Sequence, residues 1–278
     1  MGILDSYFEA WKILGKKTVI LFPALLLVIL KTPVFVSDVF GMKISIISQI
    51  LIIIYSLLMW FLIPLVAGAT IGAIKRIKNG EDISYNVLLE DGKKNYVNLL
   101  MSGIIMLLII FTSILTLILG TVIIFTISKV IIHSATFVFS SMFIFLSSLS
   151  VIIAILLIML QFYGTAIVID SLSPVDSFKR SFGFSRSRLL SVIGVSVMKF
   201  LTSVFLALPV VIIIGYHILT NFQNTITLGS FTGNFPNPGF GVSFSALIVD
   251  IIFGTLSMCF IYVYEAIYYI DENRREHV

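Results

Sequence analysis

Six long apolar runs divide this sequence and leave few folds open to it. They extend from Thr18 to Leu30 with continuation toward Val36, from Ile44 to Ile74, from Leu99 to Ser128, from Phe137 to Ile169, from Leu189 to Leu219 and from Val242 to Ile270. A helix crossing a bilayer core of about 30 Å needs about 20 residues at about 1.5 Å each. Most of the runs exceed that length, so tilt, extension beyond the core, or kinks at Pro64 and Pro209 are expected. The first run is the weakest, because Pro33 and Asp38 interrupt it early. Barrel strands need only about 10 residues of strict alternation. Backbone groups in lipid must also be satisfied within their own segment, which leaves helices. The expected fold is an all-α polytopic membrane protein with about six transmembrane helices, forming a single integral membrane domain over residues 1–278.

Composition makes the same demand. The chain is 59% hydrophobic and 12% charged, about half the ~25% charge of soluble domains, so lipid is the solvent that suits it. The net charge of +4 is no nucleic-acid footprint, because the basic residues sit in short segments between apolar runs. Lys12, Lys16 and Lys17 precede the first run. Lys75, Arg76, Lys78, Lys93 and Lys94 lie between the second and third. Lys179, Arg180, Arg186 and Arg188 lie between the fourth and fifth, and Arg274 and Arg275 follow the sixth. These are fourteen of the eighteen Lys and Arg residues; the others are Lys31, Lys43, Lys129 and Lys199. The positive-inside rule puts the larger set in the cytoplasm. Six spans return both termini to that side of the cell membrane.

Several smaller signals carry little. Asp5 and Glu9 stand where a cleavable signal is basic, so no cleaved leader is expected. Met1 to Ser6 fits the loose myristoylation pattern, but one acyl chain adds little to a protein held by several spans. Cys259, the one cysteine, reads as a small buried apolar residue. His133, His217 and His277 are too scattered to bind a metal together, so neither metal nor cofactor is expected. The outer loop from Thr220 to Gly241 has no charged residue, and its Pro236, Pro238, Gly239 and Gly241 read as turns.

A weak threefold repetition organises the basic segments. SYFEAWKILGKKTVILF from Ser6, SYNVLLEDGKKNYVNLL from Ser84 and SPVDSFKRSFGFSRSRLL from Ser173 share a plan. Each offers a serine suited to an N-cap, one or two amphipathic turns, a glycine (Gly15, Gly92, Gly183), and then a spanning run. In the first, Ile3, Tyr7, Trp11 and Leu14 recur at helical spacing and predict a helix lying in the membrane interface, with Lys12 and Lys16 toward anionic lipid. The glycine is expected to turn the chain into the bilayer. Three units, 6–83, 84–172 and 173–270, would each be an interfacial elbow helix followed by a hairpin of two spans.

EAWKILGKKTVILFPALL and AIVIDSLSPVDSFKRSFGFSRSRLLSVIGV resemble the membrane domain of the glycerophosphoryl diester phosphodiesterase membrane-domain family, and related uncharacterised six-span archaeal and bacterial proteins. Asp170, Ser173, Pro174 and Ser181 match that group's D-x-x-S-P-x-x-A-x-x-x-S elbow, with Ser177 where alanine is commoner. The resemblance implies a membrane fold. The catalytic domain that some members carry is not matched, and the His-Arg dipeptide that opens its active site does not occur.

Charged residues inside spans are costly and need partners. Lys199 lies about 16 Å beyond Arg188 at helical rise, and Asp250 about 12 Å into the last run from the opposite face. These depths predict an interhelical Lys199–Asp250 pair. Glu265, nearer the basic side, is the alternative partner for a snorkelling Lys199. Gln49 and Gln161 are expected to hydrogen-bond across helices. Lys179, Arg180, Arg186 and Arg188 are candidates for anionic headgroup contact, or serve only as a topology signal. No nucleophile elbow, phosphate loop or HExxH occurs. The leading expectation is a non-enzymatic membrane component organising lipid, a membrane-protein partner or a second copy of itself. The alternative is a transporter or permease using Lys199 and Asp250; a lipid-acting enzyme is the weakest reading.

Overall fold

The computed structural model describes residues 2–39, 46–132, 135–227 and 240–275. The segment 228–239 with Pro236 and Pro238, together with His133 and His277, lies outside the described residues, as do the side chains of Gln49 and His217. Among the described residues there are nine α-helices and no strand. They are α1 (Ile3–Lys16), α2 (Leu21–Val39), α3 (Ile46–Lys78), α4 (Tyr85–Ile132), α5 (Ala135–Leu160), α6 (Tyr163–Asp170), α7 (Pro174–Ser187), α8 (Leu189–Thr227) and α9 (Phe240–Arg275).

Five stretches are long and apolar enough to span a bilayer: Ile52–Lys78, Tyr85–Ile127, Phe139–Asp170, Leu189–Tyr216 and Phe244–Arg275. A sixth is reached only if Ile3–Lys16 and Thr18–Leu30, bent by 94° against each other, count as one span. Large apolar side chains lie bare along these helices; Phe139 is 67% exposed and Phe143 72%. Soluble proteins rarely expose apolar patches above a few hundred Å², so such faces fit lipid rather than water.

The residues gather into two compact units, Met1–Tyr96 with Gly194–Val278, and Val97–Ile193. In the first, α9 packs against α1, α2 and α3. Ile20, Ala24, Leu27, Ala73, Ile74, Phe260, Val263, Ala266 and Ile267 are almost wholly buried there. Small residues let backbones approach closely, a main source of helix association in lipid. A Cβ on Gly92 would come within 2.9 Å of the Leu65 carbonyl, and one on Gly72 within 2.7 Å of Asp91. The Arg76 guanidinium forks onto that Asp91, with Nε to Oδ2 at 2.8 Å and Nη2 to Oδ1 at 3.0 Å. Helix α3 ends at Gly80, φ +80°. The Glu81 N–H donates to Arg76 O at 3.0 Å, and the Gly80 N–H to Ile77 O at 3.0 Å, the double closure of a Schellman end.

In the second unit α5 and α6 pack on α7. The fourth apolar run breaks at Gln161–Phe162, and Ser181 repairs the break. Its Oγ accepts from the Phe162 N–H at 3.1 Å and donates to Met159 O at 3.0 Å. Gln161 Nε2 reaches Val192 O at 3.4 Å, the cross-helix bond expected of it. Helix α6 ends with Ser171 in the left-handed region, φ 56°. Ser173 then caps α7, accepting from the Asp176 N–H at 3.3 Å, with Pro174 at the first helical position.

Two details of the elbow plan differ from expectation. Ser6 is no cap: α1 starts earlier, with the Gly2 N–H donating to Asp5 Oδ2 at 2.8 Å, and Ser6 is buried inside the helix. None of Gly15, Gly92 and Gly183 turns the chain. Helix α4 runs unbroken through Gly92, Gly183 lies inside α7, and the first bend comes at Lys17.

Candidate functional site

The intramembrane pair forms between Lys199 and Glu265, not Lys199 and Asp250. Lys199 Nζ lies 2.9 Å from Glu265 Oε2, and the two side chains are 16% and 9% exposed. Asp250 stands fifteen residues earlier in α9, about 22 Å along the axis, well beyond lysine reach. The depth count failed because α9 continues beyond Ile270 to Arg275. Lys199 is ten residues from the start of α8 and Glu265 ten from the end of α9, so the two lie within about one turn of the same depth. Farther along, Ser257 Oγ donates to Ser203 Oγ at 3.4 Å. That contact sets the Lys199 backbone deeper than Glu265, so the ammonium reaches toward the helix end, as a snorkelling lysine does.

Helix α1 closes over this seam. Its Tyr7 hydroxyl accepts from Thr202 Oγ1 at 3.2 Å, and the Tyr264 hydroxyl donates to Ile3 O at 3.3 Å. Trp11 stacks on Phe260 at 4.7 Å, and Tyr7 meets Phe260 edge-on at 5.2 Å. Gly194 leaves room for Ile3, whose Cδ1 would sit 2.7 Å from an added Cβ. Lys78 joins three helices, at 2.9 Å from both Glu9 and Asp271. Sequence reasoning missed this triad. Glu9 and Asp271 flank different apolar runs, and only the tertiary fold brings them to Lys78.

The apolar face read for α1 is therefore turned largely toward protein. Its outward face instead carries Leu4 and Phe8, 57% and 66% exposed, with exposed Lys12 and Lys16. Helix α7 has the same two-sidedness. Ser177, Phe178, Ser181, Phe184 and Ser185 are buried, while Val175, Lys179, Phe182 and Arg186 are exposed. Of the four candidate headgroup cations, three meet protein groups. Arg180 Nε lies 3.7 Å from Asp170 Oδ2, and the Arg188 guanidinium sits 4.8 Å over the Phe184 ring. Lys179 makes an exposed 3.3 Å pair with Asp176, and Arg186 is exposed beside it. The Asp176 carboxyl is held below its ordinary pKa, first by the Ser173 hydroxyl and then by Lys179.

An open groove of about 430 Å³ lies in the second unit, lined by Ile105, Leu108, Ile109, Thr112, Leu149 and Ile153 among others. The neighbouring Ser113 and Thr116 hydroxyls donate to Ile109 O and Thr112 O, so its surface is apolar. No metal-binding group of three or more His, Cys, Asp or Glu occurs among the described residues.

Long lipid-facing helices, a buried ionic seam and two-sided elbow helices define a polytopic helical membrane protein. The chain belongs to the family described as Domain of unknown function (DUF7847), which matches residues 1–271. No curated protein and no solved structure matches it.

Proposed function

We propose that this protein is a non-enzymatic, multi-pass component of the cell membrane, with both termini cytoplasmic, whose elbow helices organise lipid around it. The two-sidedness of α1 and α7 carries this reading. Each elbow is fixed to protein by one face and offers a mixed apolar and cationic face outward, the character of an interfacial helix. The resemblance to the glycerophosphoryl diester phosphodiesterase membrane domain supports a membrane module apart from any catalytic one. Of the residues that carry that resemblance, Asp170, Ser173 and Pro174 build the α6–α7 corner, and Ser181 ties α7 to the α5–α6 break.

Purification in native-lipid nanodiscs, with the retained lipids identified by mass spectrometry, tests the proposal. A defined lipid shell that follows the protein through exchange into foreign lipid is expected. A second reading, movement of protons or small ions, draws on the polar seam of Lys199, Glu265, Thr202, Ser203 and Ser257. Proteoliposomes separate the two. Flux that vanishes in Glu265→Gln, with no retained lipid, would replace the first reading by the second.

A further inference from the structure

Gly183 and Gly15 are two helical glycines that the fold does not require. An exposed glycine inside a helix costs about 0.5–1 kcal/mol relative to alanine, and a φ above zero or a close neighbour usually accounts for it. Gly72, Gly92 and Gly194 have such neighbours, at 2.7 to 2.9 Å from an added Cβ. Gly80 has its positive φ. Gly15, Gly183 and Gly215 have neither, with nothing within 4 Å of an added Cβ and no positive φ. Gly215 lies half-buried in a spanning helix, whereas Gly15 and Gly183 are exposed on short elbow helices. Both sit on the outward face of an elbow helix beside cations. Lys12 is three residues before Gly15, and Lys16 follows it. Lys179 is four residues before Gly183, and Arg186 three after.

On α7 the surroundings are the more complete. Val175, Lys179, Phe182 and Arg186 recur at i, i+4, i+7 and i+11, so they form one stripe along the helix. All four are exposed, and the opposite face is locked into the second unit. The stripe thus offers two cations across a strip of bare backbone, with two apolar side chains alongside. Lys179 shares its exposed position with Asp176 at 3.3 Å, a solvent-screened pair that a phosphodiester would compete with. A phosphodiester can come closer to a helix surface at glycine than at any other residue, while Phe182 and Val175 enter the acyl boundary.

We infer that the Lys179–Gly183–Arg186 surface of α7 seats the headgroup of an anionic phospholipid, with Lys12–Gly15–Lys16 of α1 as a simpler counterpart. This rests on the lipid-organising reading and adds the lipid class and the seat. The ligand is a lipid rather than free phosphate, because the cations are interleaved with exposed apolar side chains on a helix that connects two spans. Each basic residue near an anionic surface contributes about fivefold in lipid partitioning.

The experiment places the full-length protein in nanodiscs of phosphatidylcholine with a minor share of phosphatidylglycerol, and reads enrichment of the anionic lipid next to the protein. Wild type should enrich it, less so at high salt. Lys179→Gln with Arg186→Gln should lower the enrichment by an order of magnitude, with the midpoint of thermal unfolding unchanged. Gly183→Leu adds apolar area without removing charge, so it separates the seat from general attraction; it should lower the enrichment severalfold. Unchanged enrichment in both variants overturns the inference, as does equal displacement by inorganic phosphate or a demonstrated acidic protein helix on the stripe. Retained lipid without anionic preference overturns this inference alone. Absence of retained lipid overturns the lipid-organising function beneath it.

Discussion

Lys199 and Glu265 form the ion pair that the helix ends permit. With both side chains nearly buried, removal of one partner takes from the remaining charge its ion-pair partner, a loss of about 3–5 kcal/mol. Lys199→Met and Glu265→Gln should each destabilise strongly in detergent unfolding, and the double variant should lose less than the sum. Lys199→Met and Asp250→Asn should instead add independently. Coupling between Lys199 and Asp250 would contradict the geometry. The need for a carboxylate opposite Lys199 was legible in the sequence, and Glu265 stood there as the alternative. The choice between the two was not, since depth depends on where α9 ends, and the apolar pattern stops at Ile270 although the helix continues to Arg275.

Elements show which sequence marks were structural signals and which misled. Ser173, Pro174 and Ser181 read as an elbow, and each has a place in one: cap, first helical residue, and repair of the α5–α6 break. Ser181→Ala removes the buried hydroxyl that bonds both the Phe162 N–H and Met159 O and should cost about 1–3 kcal/mol, seen as faster hydrogen exchange around Phe162. The glycines misled because one residue type serves three ends, namely turning, close packing and bare surface, and sequence spacing does not separate them. Gly92→Ala sets a Cβ against the Leu65 carbonyl and should destabilise, whereas Gly183→Ala meets open space and should stabilise by up to about 1 kcal/mol. The cap of α7 also titrates. Asp176 is held below its ordinary pKa, so its stabilising contribution is complete above the unfolded-state pKa. That contribution is lost as pH falls through the lowered folded value. Amide protection in the first turn of α7 should therefore decline in acid, and the decline should be absent in Asp176→Asn.

For the whole molecule, the long apolar runs made the membrane class legible, because length and hydrophobicity alone decide it. The count at the first run was less so, since the 94° bend between α1 and the helix after it depends on how α1 docks on α9. Orientation is a further consequence of charge and can be tested through the lone cysteine. Cys259 is buried and its thiol donates to Ile20 O at 3.3 Å, so it should resist membrane-impermeant thiol reagents in the folded protein. Introduced cysteines can then be read against a silent background. The positive-inside rule puts Lys12, on the exposed face of α1, in the cytoplasm, and Ser230, in the uncharged segment after α8, outside. Ser230→Cys should react in intact cells, and Lys12→Cys only after permeabilisation. The reverse pattern would invert the protein and place the α1 and α7 cations on the outer leaflet. Reaction of both in intact cells would mean an even number of crossings between them, and the helix to question would be α2.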